Sequence, residues 1–508
     1  RGSPCGEATG GAGIVAPPGV SAPGRWVLAA TVLGSGMAFL DATVVNIALP
    51  RIGEDFDARL AALQWTVNAY TLTLAGLLLL GGALGDRLGR RRVFQWGVAW
   101  FTVASVLCAL APTVEVLIAA RALQGVGAAL LTPGSLAIIE AAFVREDRGA
   151  AIGAWSGLGG IATALGPFLG GYMIDAVSWR MIFLINVPLG LAVMVIAARH
   201  VPETRGVRQE GARLDLAGAA LAALGLAALT WALTEAAGRG WGDAAVLLAA
   251  LVGAALLAGF VLRQARARAP MVPLSMFRSR GFSASNAVTF VVYAALSASL
   301  FLVPIQLQQV TGYSALQAGA ALFPLTLVML VFSARAGRLA QRIGPRLPMS
   351  LGPLLAGAGM AGLARVGDDA AYLVDLLPPL LVYAAGLALT VAPLTATVMA
   401  SAPEQLAGIA SAVNNTVARV AGLIAVALVP VLAGISGADY RDPAAFSDGY
   451  QRGILIAAAL SAAGGVLALL LVPGRPEAEA PVAGEPEQCA HCALDAPPLR
   501  QEVEPGPA

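Results

Sequence analysis

The 508-residue chain has no lysine; all 32 of its basic residues are arginine. A phosphate-binding loop of the form Gly-x-x-x-x-Gly-Lys-[Ser/Thr] is therefore impossible, and no nucleotide chemistry is encoded by that route. Arginine in place of lysine, with 59 glycines, points to a GC-rich genome and carries no functional weight. Histidine is almost as scarce, with only His200 and His491. An intramembrane hydrolase needs a buried Ser and His or paired metal ligands. His200 closes an apolar run and has no such setting, so it reads as an interfacial residue. Of the four cysteines, Cys108 lies inside an apolar run while Cys5, Cys489 and Cys492 fall in the tails, which excludes a secreted disulfide framework. Cys489 and Cys492 flank His491, but one such pair brings too few ligands to close a zinc site, and no metal is expected.

Charge is sparse as well. Only 12% of residues are charged, against the quarter or so usual in soluble domains, and 58% are hydrophobic. With 32 basic and 30 acidic residues the net charge is +2, so no global field draws the chain to nucleic acid. Residues 1–24 are rich in Gly, Ala and Pro and lack the apolar core of a cleavable signal, which leaves the first membrane helix as the insertion signal.

What the chain has instead is fourteen apolar runs, from 26–49 to 453–472, each long enough to cross hydrocarbon as a helix. Alternate connecting loops hold nineteen and seven arginines, and short cytoplasmic loops collect arginine. Both termini are therefore expected on the cytoplasmic side. The stretch from Gly82 to Arg91 reappears, weakened, from Gly337 to Arg346, each after the second run of a six-run half. This repeat divides the chain into a disordered tail 1–24, a six-helix bundle 25–200, a linker 201–280 with two inserted helices, a second bundle 281–473 and a disordered tail 474–508. The fold class expected is an all-α membrane protein of 14 transmembrane helices, and parallel six-helix repeats place a substrate site at their interface near the midplane.

These residues resemble the major facilitator superfamily, most specifically its fourteen-helix drug:proton antiporter branch. The resemblance rests on Gly82-x-Leu84-x-Asp86-Arg87-x-Gly89-Arg90-Arg91, on Leu40-Asp41-x-Thr43 through Pro50, on Arg121-x-x-Gln124-Gly125-x-Gly127, and on Gly157 to Gly171 in the fifth run. The last of these, with Gly157, Gly160, Gly166, Pro167, Gly170 and Gly171, resembles the motif of antiporters rather than symporters. The second-half copy departs from the pattern by carrying Gln341 where Asp86 stands.

Asp41 is the residue of greatest interest, because a carboxylate inside a span is costly and faces a cavity or a partner. It lies about 13 Å from the outer end of its helix, and Arg121 about 10 Å from the outer end of the fourth, at 1.5 Å per residue. The matching depths make an Asp41 and Arg121 pair feasible, either as a proton-coupling site or as a static fastening between helices. Asn46 lies about 140° around from Asp41, so its amide is expected to bond between helices. The Asp86 loop reads as a conformational latch, with Asp86 capping a helix of the other half and Arg87 pairing with Glu140; lipid phosphate contact is the bland alternative for its arginines. In the fifth helix, small residues permit close helix approach and Pro167 invites a bend. Arg419, with Asn414 and Asn415, sits near mid-membrane without an acid at its depth. Trp65, Tyr293, Gln306 and Tyr383, together with Asn46, complete the candidate substrate contacts.

The function expected is export of drugs, antibiotics or other amphipathic compounds, hydrophobic or cationic, across a bacterial cell membrane by a monomer. No cofactor is implied beyond the proton as coupling ion. One proton entering down a potential of about 100 mV supplies roughly 2.3 kcal/mol, and one pH unit adds about 1.4. Together these sustain a gradient of several hundredfold in a neutral substrate exchanged one for one. Proton-coupled movement of a native metabolite is the competing transport reading, and a polytopic membrane enzyme the remote one.

Overall fold

The computed structural model describes residues 22–206, 215–267, 270–403, 406–435, 440 and 442–474. The two tails expected to be disordered fall almost wholly outside these residues, as do Cys5, Cys489, His491 and Cys492. Among the described residues there is no strand. The helices are α1 (Ala22–Asp55), α2 (Leu60–Leu88), α3 (Arg90–Ala109), α4 (Val114–Ala142), α5 (Arg145–Ala176), α6 (Met181–His200), α7 (Leu216–Arg239), α8 (Ala244–Arg266), α9 (Arg280–Gln309), α10 (Ala315–Ile343), α11 (Arg346–Leu363), α12 (Tyr372–Ala400), α13 (Ala407–Leu432) and α14 (Pro443–Leu471). Short breaks at Ile185 and Leu322 interrupt α6 and α10.

Helix is the outcome lipid imposes on such runs, because hydrocarbon offers no partner to a free backbone amide. Where the chain re-enters water, side chains take over that task. Thr113, Asp215, Asp243, Ser279, Ser314 and Asp442 each accept a bond from a free amide at a helix start, and Ser314 forms a capping box with Gln317. Thirteen helices among the described residues are long and apolar enough to span a membrane. The fourteenth, α11, is only 18 residues long and is diluted by Arg346, two prolines and four glycines, yet it packs between α12 and α14 like a member of the bundle. Helix α14 starts ten residues before the apolar run does, since Phe446 and Tyr450 in that polar stretch are buried in the core.

Two bundles follow from which helices touch. In the first half α1 packs on α5 and α6, α4 on α2 and α3, and α3 on α6. In the second half α9 packs on α13 and α14, α12 on α10 and α11, and α11 on α14, the same pattern shifted by eight helices. The halves meet at two seams related in the same way, α2 against α13 and α5 against α10. The inserted pair α7 and α8 forms a hairpin whose first helix lies on α2 and α13, over one seam only. Leucine, phenylalanine and tryptophan side chains such as Trp96, Trp100, Leu191, Leu251, Phe332 and Leu470 project outward, as a surface solvated by lipid requires.

Candidate functional site: a one-sided cavity over a buried ion pair

Between the halves lies a cavity of about 1560 Å³, walled by α1, α2, α4 and α5 on one side and α9, α12 and α13 on the other. Its mouth carries Asp86, Arg87, Arg90, Glu140 and Arg205, on the face of the arginine-rich α2–α3 loop, and its depth reaches Asn46, Asn68, Tyr70, Arg121, Tyr293 and Arg419.

The opposite end is shut by bonds between the halves. Gln64 on α2 donates to the Val426 carbonyl of α13 at 2.8 Å, and Gln308 on α9 donates to the Ile47 carbonyl of α1 at 3.0 Å. Asp175, at the end of α5, accepts from the Ala315 and Leu316 amides at 3.3 and 2.9 Å and so caps α10. Below it the backbones nearly touch. A Cβ on Gly171 would come within 2.5 Å of the Ala315 carbonyl oxygen, and one on Gly319 would collide with the Pro167 carbonyl.

The antiporter-like glycines therefore divide into two groups. Gly166, Gly170 and Gly171 serve close approach, to Thr43, Val44 and α10 respectively, whereas a Cβ on Gly157 or Gly160 would meet nothing within 4 Å. Gly160 lines the cavity, and Pro167 lies within α5.

Asp41 and Arg121 meet at the bottom of the cavity. Arg121 donates to Asp41 Oδ2 at 2.5 Å, and both residues are 1% exposed. Arg121 also donates to Gln124 Oε1 at 2.5 Å and to the Thr66 carbonyl at 3.1 Å. Its guanidinium lies 4.4 Å from the Tyr70 ring centroid and 5.7 Å from that of Phe183. Gln124 in turn donates to Asp41 Oδ1 and to Ser105 Oγ, each at 2.9 Å, and Asn186 donates to Ser105 Oγ at 3.3 Å. Five helices, α1, α2, α3, α4 and α6, thus share one buried polar network, in which every bond raises the cost of removing another. Arg121 lines the cavity but Asp41 does not. The carboxylate stands behind the arginine, so the cavity acid expected from the sequence is covered in this conformation.

The latch loop is engaged within its own half. Asp86 pairs with Arg90 at 2.9 Å and, among the described residues, caps no helix of the second half. Arg87 and Glu140 both line the mouth, yet they form no ion pair among the described residues. Arg90 is the arginine directed at α4, donating to the Ala137 carbonyl at 3.0 Å. Gly89 turns the chain at a φ of 115°, and Glu203 packs against it, accepting from the Arg91 amide at 3.1 Å and facing the Arg91 and Arg92 guanidinium groups.

The remaining candidates separate cleanly. Asn46, Tyr293, Asn414, Asn415 and Arg419 line the cavity; Trp65, Gln306 and Tyr383 do not. Asn46 bonds the Ala42 carbonyl of its own helix at 3.3 Å, not another helix, because it faces open space. Gln306 is buried in the second bundle, donating to the Val366 carbonyl at 2.8 Å, and Tyr383 bonds Ser299 at 2.7 Å. Asn414 donates to Thr289 Oγ1 at 2.7 Å and to Asn286 at 3.2 Å. His200 stacks on Trp26 with centroids 5.0 Å apart. Sequence reasoning missed Asn68, Ser105, Asn186 and Glu203. Gln124 stands in the motif it shares with Arg121, and its place three positions on puts it on the same helix face.

Comparison with known proteins agrees with this architecture. The family model described as Major Facilitator Superfamily matches residues 31–426. The tetracenomycin C resistance and export protein of Streptomyces glaucescens is 37% identical over 83% of this chain and 78% of its own length. The puromycin resistance protein pur8 of Streptomyces alboniger is 36% identical, covering 90% of this chain and 93% of its own, and the cephamycin export protein CmcT of Amycolatopsis lactamdurans is 36% identical over 78% and 82%. Among solved structures, the POT family transporter PepTSo superposes with a TM-score of 0.64 at 15% identity, over 88% of this chain and 97% of that one. An inward-facing, unoccupied bacterial homologue of the human lysosomal transporter Spinster gives 0.63 at 15% identity, over 89% and 98%.

Proposed function

The chain belongs to the major facilitator superfamily, among its antibiotic-resistance and export transporters, and from that premise we propose that it expels amphipathic organic compounds from a bacterial cell in exchange for protons. The observation that carries the reading is a large cavity open at one end only, with Arg121 in its floor and Asp41 paired behind it. An opening at one end, between halves joined by few bonds at the other, is the geometry of alternating access. The mouth lies on the arginine-rich face, which we take as cytoplasmic, with both termini on that side.

The proton step follows from the bonding of Asp41. Asp41 accepts from Arg121 at Oδ2 and from Gln124 at Oδ1, and it lies behind Arg121, so a proton from the cavity reaches the carboxylate when the guanidinium moves aside. Arg121 is the donor the cavity can reach. In the proposed cycle the guanidinium leaves Asp41 when the pocket faces outward, the freed acid takes a proton there, and return of Arg121 in the inward state expels it. The Asp86 and Arg90 pair at the mouth is then the released form of a latch that closes across the halves in the outward state. Substrate, monomeric carrier and lipid bilayer suffice for this cycle.

The test is uptake of a fluorescent amphipath into proteoliposomes of the full chain under an imposed pH gradient. Accumulation should follow the gradient and collapse with an uncoupler; accumulation insensitive to both would refute proton exchange.

A further inference from the structure

Resting on the export reading, we propose that Arg419 binds an anionic group of the substrate, a carboxylate or phenolate, so that this cavity takes amphipathic anions in preference to cations.

Arg419 stands near the middle of α13, about 18 Å from its start at 1.5 Å per residue, and lines the cavity. No hydrogen bond or ion pair satisfies it among the described residues, whereas Arg121, which lines the same cavity, is fully engaged. Tyr70 on α2 and Tyr293 on α9 line the same cavity, so Arg419 faces a space walled by both halves. Five arginines and two acids line the cavity. The acids, Asp86 and Glu140, lie at the mouth, and Asp86 is already paired with Arg90. Asp41 is consumed by Arg121 and hidden behind it. The expectation of a cation-binding pocket depended on that acid facing the cavity, and it does not.

Arginine cannot shed its proton when the pocket closes. In the open state water solvates it; in a closed pocket an unpaired guanidinium is heavily penalised. Among the described residues no unpaired carboxylate lines the cavity beside Arg419, so the counter-charge has to arrive with the cargo. A guanidinium fork matches a carboxylate in bidentate fashion. The wall offers the complementary parts for an amphipath: Phe39, Trp155 and Tyr293 for an apolar body, and Asn68, buried with both amide atoms unpaired, for a neutral polar group.

The experiment uses two dyes of one scaffold and opposite charge, fluorescein and rhodamine 123, binding at pH 8 to the purified full chain in detergent, followed by fluorescence anisotropy. Fluorescein should bind at least tenfold more tightly than rhodamine 123. Arg419→Gln should weaken fluorescein by about tenfold to a hundredfold, as loss of one charged hydrogen bond dictates, and leave rhodamine 123 unchanged or tighter. Arg419→Lys should recover part of the loss. If Arg419→Gln does not fold, competition on the unmodified chain decides: benzoate should displace fluorescein where benzylammonium does not. Equal or tighter binding of rhodamine 123, binding of neither dye, equal loss of both in the variant, or displacement of fluorescein by phosphatidylglycerol but not by benzoate would each overturn the assignment, the last by identifying a lipid headgroup site. If fluorescein binds through Arg419 but no gradient drives it into proteoliposomes, the anion site stands and the export reading falls.

Discussion

Replacing Asp41 by asparagine keeps the shape of the side chain and removes the charge that Arg121 is paired with. The structure sets two consequences of different size. The amide nitrogen of an asparagine would confront either the Arg121 guanidinium or the Gln124 amide, both donors, so one of the bonds at 2.5 and 2.9 Å is lost and a buried guanidinium is left without its counter-charge. Removing one partner of a buried pair costs about 3–5 kcal/mol, and the variant should unfold at a visibly lower temperature. Asp41→Asn combined with Arg121→Gln removes both charges and should recover most of that loss, a coupling readable from a double-mutant cycle. Transport should respond differently. The unmodified carrier, moving one proton inward per neutral substrate, has roughly 4 kcal/mol at about 100 mV and one pH unit, which corresponds to several hundredfold accumulation. Both the single and the double variant should accumulate nothing against a gradient, yet still exchange labelled for unlabelled substrate across the membrane. Proteoliposomes with an acid interior measure the first quantity, and proteoliposomes preloaded with unlabelled substrate at equal pH measure the second. Concentrative uptake above about tenfold by Asp41→Asn would refute the role of this carboxylate, because by the driving-force arithmetic above that gradient alone requires about 1.4 kcal/mol from a coupled ion.

Two further changes separate close packing from open space. Gly171→Ala forces a methyl group against the start of α10 and should cost about 1–3 kcal/mol, with the outer seal weakened, as read by labelling of a cysteine placed at Ala315; Gly157→Ala meets nothing within 4 Å and should leave stability within about 0.5 kcal/mol. Asp215 caps α7 and is bound by Arg263 at 2.6 Å and Gln264 at 2.8 Å. Burial alone would raise this carboxyl, but those donors and the Gly218 amide outweigh it and hold it below the ordinary value of 3.8. Its contribution is therefore complete above that value and is lost as pH falls through the lower folded one. Asp215→Asn should loosen the α7 and α8 hairpin by about 1–2 kcal/mol at neutral pH, detected by hydrogen exchange in the first turn of α7, and should abolish the difference between pH 7 and pH 3 there.

The spans were legible because lipid leaves a long apolar run a single structural option, and the repeat was legible because its two copies end the same helix in each half. The Asp41 and Arg121 pair could be read from depth alone, since helix rise converts position into distance. Rotation about the helix axis is another matter. Arg87 and Arg90 both lie near Glu140 along the membrane normal, and only packing decided that Arg90 turns toward α4. Asp41 was placed at the right depth but on the wrong side of Arg121, which reversed the charge of the cavity wall. Ser105 and Asn186 carried no signal, because isolated small polar residues in apolar helices show no period. Glu203 lies in a connection whose path is set by Gly89, far from it in sequence.

The inserted hairpin breaks the symmetry of the two halves in a way that makes its own prediction. The seams α2 with α13 and α5 with α10 are equivalent, but α7 lies across the first and no described helix lies comparably across the second. A helix touching both halves must part from one of them if the halves rock. Its approach to α2 is the tighter, since a Cβ on Gly76 would fall 2.9 Å from Ala223 Cβ and 3.0 Å from its Cα, backbone against backbone, which is how helices hold in lipid. We therefore expect α7 to travel with α2 and slide over α13. Gly76→Leu should push α7 away from α2, lowering thermal stability by about 1–3 kcal/mol. A disulfide between cysteines placed at Gly76 and Ala223 should form and leave transport running, because it joins parts of one moving body. Arrest of transport by that crosslink, relieved on reduction, would show instead that the hairpin moves with the second half.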